Sequence, residues 1–83
     1  MWFVYMVRCI DNSLYTGVTT DLTRRLREHN GETANGARYT LTKRPVKLVY
    51  SELAADRSSA QKREHQIKQL SKESKNQLIL YQN

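Results

Sequence analysis

The strongest constraint on the fold is a pair of short apolar runs, Trp2-Phe3-Val4-Tyr5-Met6-Val7 and Ser13-Leu14-Tyr15-Thr16-Gly17-Val18, joined by the turn-forming Asp11-Asn12-Ser13. Short runs rich in aromatic and β-branched residues favour strands, and a turn this close folds them into a hairpin. Side chains separated by an even number of residues share a strand face. Phe3, Tyr5 and Val7 therefore point one way, and Tyr15 and Gly17 share a face of the partner strand. Tyr5 and Tyr15 meet beside a glycine that has no side chain to pack. A helix-start signal, Thr19-Thr20-Asp21, follows at once, so the corner lets a ligand approach the Gly17 backbone closely.

Length limits what can be built on this hairpin. The 83 residues make one small domain with a modest core, a single unit over residues 1–83. Fourteen Lys and Arg against eight Asp and Glu give a formal charge of +6, and the natural partner of such a field is polyanionic. The single cysteine, Cys9, rules out an internal disulfide, and no Cys/His pattern suggests zinc, which fits a reducing compartment. No apolar run approaches the roughly 20 residues needed to span a bilayer, and the N-terminal run lacks the flanks of a leader. The expectation is a soluble, cytoplasmic monomer.

The apolar period changes from two to about 3.6 and back along the chain, giving the order β-β-α-β-α-α. A first helix starts at Thr20 or Asp21 and stops near Asn30-Gly31. Residues 31–45 read as loop, with a helical turn possible over Glu32 to Ala37. The third strand is Val46 to Glu52, with Pro45 tolerated at its beginning, and completes a three-stranded, mainly antiparallel sheet. A second helix runs from about Asp56, its cap, to Leu70. A third runs from Ser71 to about Tyr81 and buries some of Leu78, Ile79, Leu80 and Tyr81. The fold class is α+β, an α/β sandwich with helices flanking the sheet.

Helical spacing places Leu22, Arg25, Leu26 and His29 on one stripe, so two cations crowd an apolar edge. In the second helix the stripe is Ala60, Glu64, Ile67 and Leu70 or Ser71, with a carboxylate where an aliphatic side chain packs better. A buried carboxylate without a partner costs several kcal/mol, so Glu64 calls for a cation, either a metal or a side chain such as Arg25. The plainer alternative puts Glu64 at the border of the stripe, paired with Lys68 at i+4 for a few tenths of a kcal/mol. The plainer readings elsewhere are a solvated basic face for Arg24, Arg25 and Arg27, core packing for Tyr5 and Tyr15, and an inert buried Cys9. His65 reads as surface, and Tyr50 has no special context.

Taken together these residues resemble the GIY-YIG nucleases. Val4-Tyr5 stands at the end of the first motif and Tyr15-Thr16-Gly17 at the second. Thr20-Asp21-Leu22 follows, then Arg25, then His29 one helical turn later, then Glu64 on the next long helix, in the family's order over residues 2 to 80. The length and segments such as Asn35-Gly36-Ala37-Arg38-Tyr39-Thr40 look like the small stand-alone bacterial branch of that family, the YhbQ/YazA-like proteins. Phe3, Val4 and Thr16 depart from the motif residues, and Val18 and Thr19 stand where some members carry a lysine.

The resemblance implies a structure-selective DNA endonuclease of DNA repair or recombination that hydrolyses phosphodiesters with one Mg²⁺ or Mn²⁺. Glu64 would bind the ion, Tyr15 would accept the proton of the attacking water, and Arg25 would hold the scissile phosphate. Tyr5 and His29 would complete the pocket, by hydrogen bonding and by positioning or protonating a reacting oxygen. Binding without strong sequence preference would use Arg24, Arg27, Lys43, Arg44, Lys62, Arg63 and Lys68 on phosphates, with Gly17 at the corner and Arg38 or Tyr39 at the rim. The alternative is a non-catalytic nucleic-acid-binding module or adaptor that needs a protein partner.

Overall fold

β1 (Trp2–Arg8), the most apolar stretch of the chain, occupies the centre of the sheet. The computed structural model describes residues 1–32 and 42–82. β2 (Leu14–Thr19) pairs antiparallel on one side of β1 and β3 (Lys47–Ala54) antiparallel on the other, in the order β2-β1-β3. A central strand covered on both faces explains why the run from Trp2 to Val7 does not alternate with polar residues. Val4 and Met6 pack with Tyr50 and with Ala60 and Ile67 of α2 (Arg57–Lys68), where Leu78 and Ile79 of α3 (Lys72–Leu80) join them. On the other face Tyr5 and Val7 pack with Cys9, Val46 and Tyr15, and with Leu22 and Leu26 of α1 (Leu22–His29). The α+β sandwich, the element order β-β-α-β-α-α and the antiparallel sheet expected from the sequence are all present.

Local chemistry sets the boundaries. In the hairpin the Asp11 carboxylate accepts from Ser13 N at 3.0 Å and Ser13 Oγ at 2.6 Å, and Asn12 takes the left-handed conformation at φ 71° that asparagine tolerates. Those bonds from Ser13 hold the Asp11 carboxyl at about 2. Asp21, Asp56 and Ser71 each accept a hydrogen bond from the first turn of the helix they precede. α2 ends at Lys68 rather than Leu70, and β3 runs on to Ala54 rather than Glu52, continuing its pairing to Trp2. Of the four apolar residues expected to be buried at the end of α3, Leu78 and Ile79 pack on the core while Leu80 and Tyr81 are exposed. The helical turn considered for Glu32 to Ala37 lies largely outside the described residues.

Two junctions anchor α1 where the site needs it. Asn30 uses its side-chain amide like a peptide group, donating to Val46 O at 3.2 Å and accepting from Val46 N at 2.7 Å. Arg44 Nε donates to His29 O at 2.8 Å, satisfying a carbonyl at the helix end. Gly31, at φ 79°, leaves open the space that this guanidinium fills.

Gly17 lies directly opposite Tyr5 in the sheet, and a Cβ there would stand 2.6 Å from Tyr5 Oη and 2.8 Å from Cζ. The space beside the glycine, read from the sequence as a ligand approach, is filled by the chain's own phenol. Gly17→Ala must push the Tyr5 ring aside, and we expect a loss of about 1–3 kcal/mol in urea unfolding. An alanine variant as stable as the wild type would show that the ring does not depend on that gap.

Candidate functional site

The Tyr5 hydroxyl is the point on which the expected site residues converge. It lies 2.7 Å from His29 Nε2, and its ring stands 6.5 Å from that of Tyr15 and 5.8 Å from that of His29 between centroids. Tyr15 and His29 contact each other edge to face at 5.0 Å. Burial drives the Tyr5 phenol up to about 12, opposed by a hydrogen bond from Arg25 and reinforced by the charges of Tyr15 and Glu64. β1, β2, α1 and α2 thus bring Tyr5, Tyr15, Arg25, His29 and Glu64 within mutual influence.

The Tyr5 hydroxyl and His29 Nε2 share a hydrogen bond, and Arg25 stands near enough to favour the ionised phenol. Burial lowers His29 to about 4, helped by the neighbouring charges of Arg25 and Arg44, so the ring is neutral at physiological pH. Burial works against the charge of Arg25, but hydrogen bonds to Glu28 and Tyr5 outweigh it and keep the side chain cationic.

Exposure divides the set in two. Tyr5 and His29 are buried, at 2 % and 0 %. Tyr15, Arg25 and Glu64 are half-buried and can meet a ligand. Of the partners the sequence leaves open for Glu64, the structure shows Lys68 at 3.3 Å, while Arg25 binds Glu28 at 2.7 Å. Glu28 is buried and was not singled out by the stripe, although its i+3 and i+4 spacing from Arg25 and Arg24 signals the pairing. The reading of Tyr50 is corrected: its hydroxyl donates to Glu52 at 2.5 Å, and Glu52 accepts from Arg63 Nε at 2.6 Å.

The basic residues proposed for phosphate contact are not equivalent. Arg44 is committed to the end of α1 and Arg63 to Glu52. Arg24, Arg27, Lys43 and Lys68 form ion pairs with Glu28, Glu32, Asp11 and Glu64 at 3.7, 3.9, 3.3 and 3.3 Å, and Lys62 is exposed. Partly exposed pairs of this kind contribute little and can open to a polyanion. Arg38 and Tyr39 lie outside the described residues. Among the described residues no group of three or more His, Cys, Asp or Glu is arranged to hold a metal, and no helix is long and apolar enough to cross a membrane.

These shifts fix a pH profile. Between about 4 and 6.5 the unfolded chain protonates His29 and the folded chain does not, so stability is complete above pH 6.5 and falls by about 3 kcal/mol toward pH 4. Tyr5 acts oppositely: its contribution is present below pH 10 and lost as pH rises toward 12. Urea midpoints across this range should show both limbs, with Tyr5→Phe flattening the alkaline one. An alkaline limb unchanged in that variant would remove Tyr5 as its source.

The family of the chain follows from comparisons with known proteins. The family model described as the GIY-YIG catalytic domain matches residues 1–77. The UPF0213 protein DP2720 of Desulfotalea psychrophila is 58% identical over 78 residues, covering 94% of this chain and 70% of that one. The UPF0213 protein HQ_3675A of Haloquadratum walsbyi is 53% identical over 76 residues, covering 92% and 83%. The solution NMR structure of the UPF0213 protein BH0048 from Bacillus halodurans superposes with a TM-score of 0.59 at 38% identity, covering 95% of this chain and 83% of that one. With the motif tyrosines, Arg25, His29 and Glu64 gathered as described, the chain belongs to the GIY-YIG catalytic domain family.

Proposed function

We propose that this protein is a metal-dependent endonuclease that hydrolyses phosphodiester bonds of DNA selected by structure rather than sequence, in repair or recombination. The observation that carries the reading is the convergence on Tyr5: His29 by a hydrogen bond, Tyr15 by ring proximity, Arg25 and Glu64 by their electrostatic influence on the phenol. Family membership supports nuclease chemistry and nucleic-acid binding in general terms, and the charge of +6 supports a polyanionic partner.

The residues fit a divalent ion of the Mg²⁺ or Mn²⁺ kind. Such ions accept one protein carboxylate and complete their shell with water and substrate phosphate, and Glu64 is a partly open carboxylate beside the phenols. When bound, the ion supplies a Lewis acid and an acidified water. Releasing Lys68 frees Glu64 for this role at small cost.

Accessibility assigns the remaining roles. Arg25 is cationic and half-exposed, and its planar donors suit a phosphate and the added charge of the transition state. Tyr15 stands beside Tyr5 and acts as a phenolate, its own proton passing first to bulk solvent, to accept the proton of the attacking water. Tyr5 and His29 are positioning residues: buried and neutral, they hold the donor face of Arg25 and the ring of Tyr15 rather than touch substrate. Lys62, Arg24, Arg27, Lys43 and Lys68 contribute salt-sensitive phosphate contacts.

The test is cleavage of labelled single-stranded, flap, forked and nicked DNA at low salt with Mg²⁺ or Mn²⁺. We expect Glu64→Gln and Tyr15→Phe each to lose about a hundredfold in rate, roughly 2.7 kcal/mol of transition-state stabilisation. DNA bound by all three proteins and cut by none would instead make the chain a binding module or adaptor.

A further inference from the structure

Beside the hydrolytic cluster lies a second cleft of about 340 Å³, within the roughly 300–1,000 Å³ range of small-ligand sites. It opens around the β2 edge, where the two helical layers meet: Arg24 and Arg25 reach it from α1, Arg57 from the first turn of α2, and Trp2 from β1. Three guanidiniums face one carboxylate, that of Glu28, so the cleft carries excess positive charge. Arg24 is more than half exposed, and its 3.7 Å contact with Glu28 is a loose one.

Trp2 gives this basic cleft a character that phosphate binding alone does not need. Its indole is half-buried, packed on one side against the core that includes Val4 and Met6, and so held rigidly. The Arg57 guanidinium lies over the ring at 5.8 Å from its centroid, near the outer limit of cation–π attraction, and is otherwise exposed, so a base reaches the indole by displacing it. A half-buried indole covered by one exposed guanidinium, with two more beside it, can receive a base by stacking and its phosphate by charge once Arg57 swings from the ring to the phosphate. A base inside a duplex has both faces occupied and cannot use it.

We propose that this cleft is a subsite for an unpaired nucleotide flanking the bond held at Arg25, with the base on Trp2 and the phosphate between Arg24 and Arg57. Arg25 lines both the cleft and the hydrolytic cluster, so adjacent phosphates of one strand occupy the two. The assignment rests on the nuclease reading and adds to it the form of substrate, a strand unpaired next to the cleaved bond. Trp2 and Arg57 become specificity-determining residues.

Trp2 is the sole tryptophan of the chain, so its emission reports on the subsite directly. With divalent ions chelated, the full chain is titrated with a short oligothymidylate, an abasic strand of the same length, and a blunt duplex, while fluorescence anisotropy of each labelled strand follows binding. The expected result is quenching of Trp2 by the oligothymidylate in step with anisotropy, and none by the abasic strand or the duplex. Trp2→Leu, which keeps an apolar anchor in the core, should weaken oligothymidylate binding by roughly tenfold or more. Arg57→Ala, a surface change, should weaken it without altering the thermal midpoint. Binding without quenching, equal quenching by the duplex, unchanged affinity in both variants, or no binding at all would each overturn the subsite. Metal-dependent cleavage by the wild type alongside a silent Trp2 would overturn the subsite alone and leave the nuclease reading standing.

Discussion

A hydrogen bond between two buried side chains, Tyr5 Oη and His29 Nε2 at 2.7 Å, ties the central strand to the end of α1, and the site is arranged around it. It requires Gly17, because any side chain there would occupy the phenol's place. Burial and the nearby guanidiniums of Arg25 and Arg44 keep its imidazole neutral. Arg25 lies close to this bond and donates to Glu28 at 2.7 Å, an ion pair within α1 that holds the guanidinium in place.

The architecture separates support from contact. Tyr5 and His29 lie beneath the surface, while Tyr15, Arg25 and Glu64 come from three different elements and are half-buried. Arg44 shows the same economy from another direction: a residue that composition would assign to DNA instead closes the C-terminal end of α1 and adds to the field that keeps His29 neutral. Arg63 is similarly drawn into structure by Glu52, leaving Arg24, Arg57 and the lysines as the adjustable part of the basic surface.

The parts of this fold that were legible in the sequence depend on neighbours in the chain. The hairpin turn at Asp11-Asn12-Ser13 and the caps at Asp21 and Asp56 are local chemistry, and the structure has them where the residues suggest. The pairing of Tyr5 with Tyr15 was legible because strand alternation fixes which side chains share a face. The motif pattern supplied the association of these residues with Glu64, which no local rule joins across so much chain. What was not legible depends on contacts between elements. The link Tyr50–Glu52–Arg63 joins β3 to α2. Gly17 was read as an open approach because the sequence does not show that the facing tyrosine fills it.

The central claim is that residues from four elements form one hydrolytic unit, and coupling between distant members tests it most directly. Cleavage rates of Arg25→Ala, Glu64→Gln and the double variant would be compared on one DNA substrate under saturating divalent ion. Residues that act as a unit are strongly non-additive, so the account predicts a double variant hardly slower than the slower single one. Losses that multiply, with the double variant reduced by the product of the two single effects, would contradict it and show Arg25 and Glu64 acting independently.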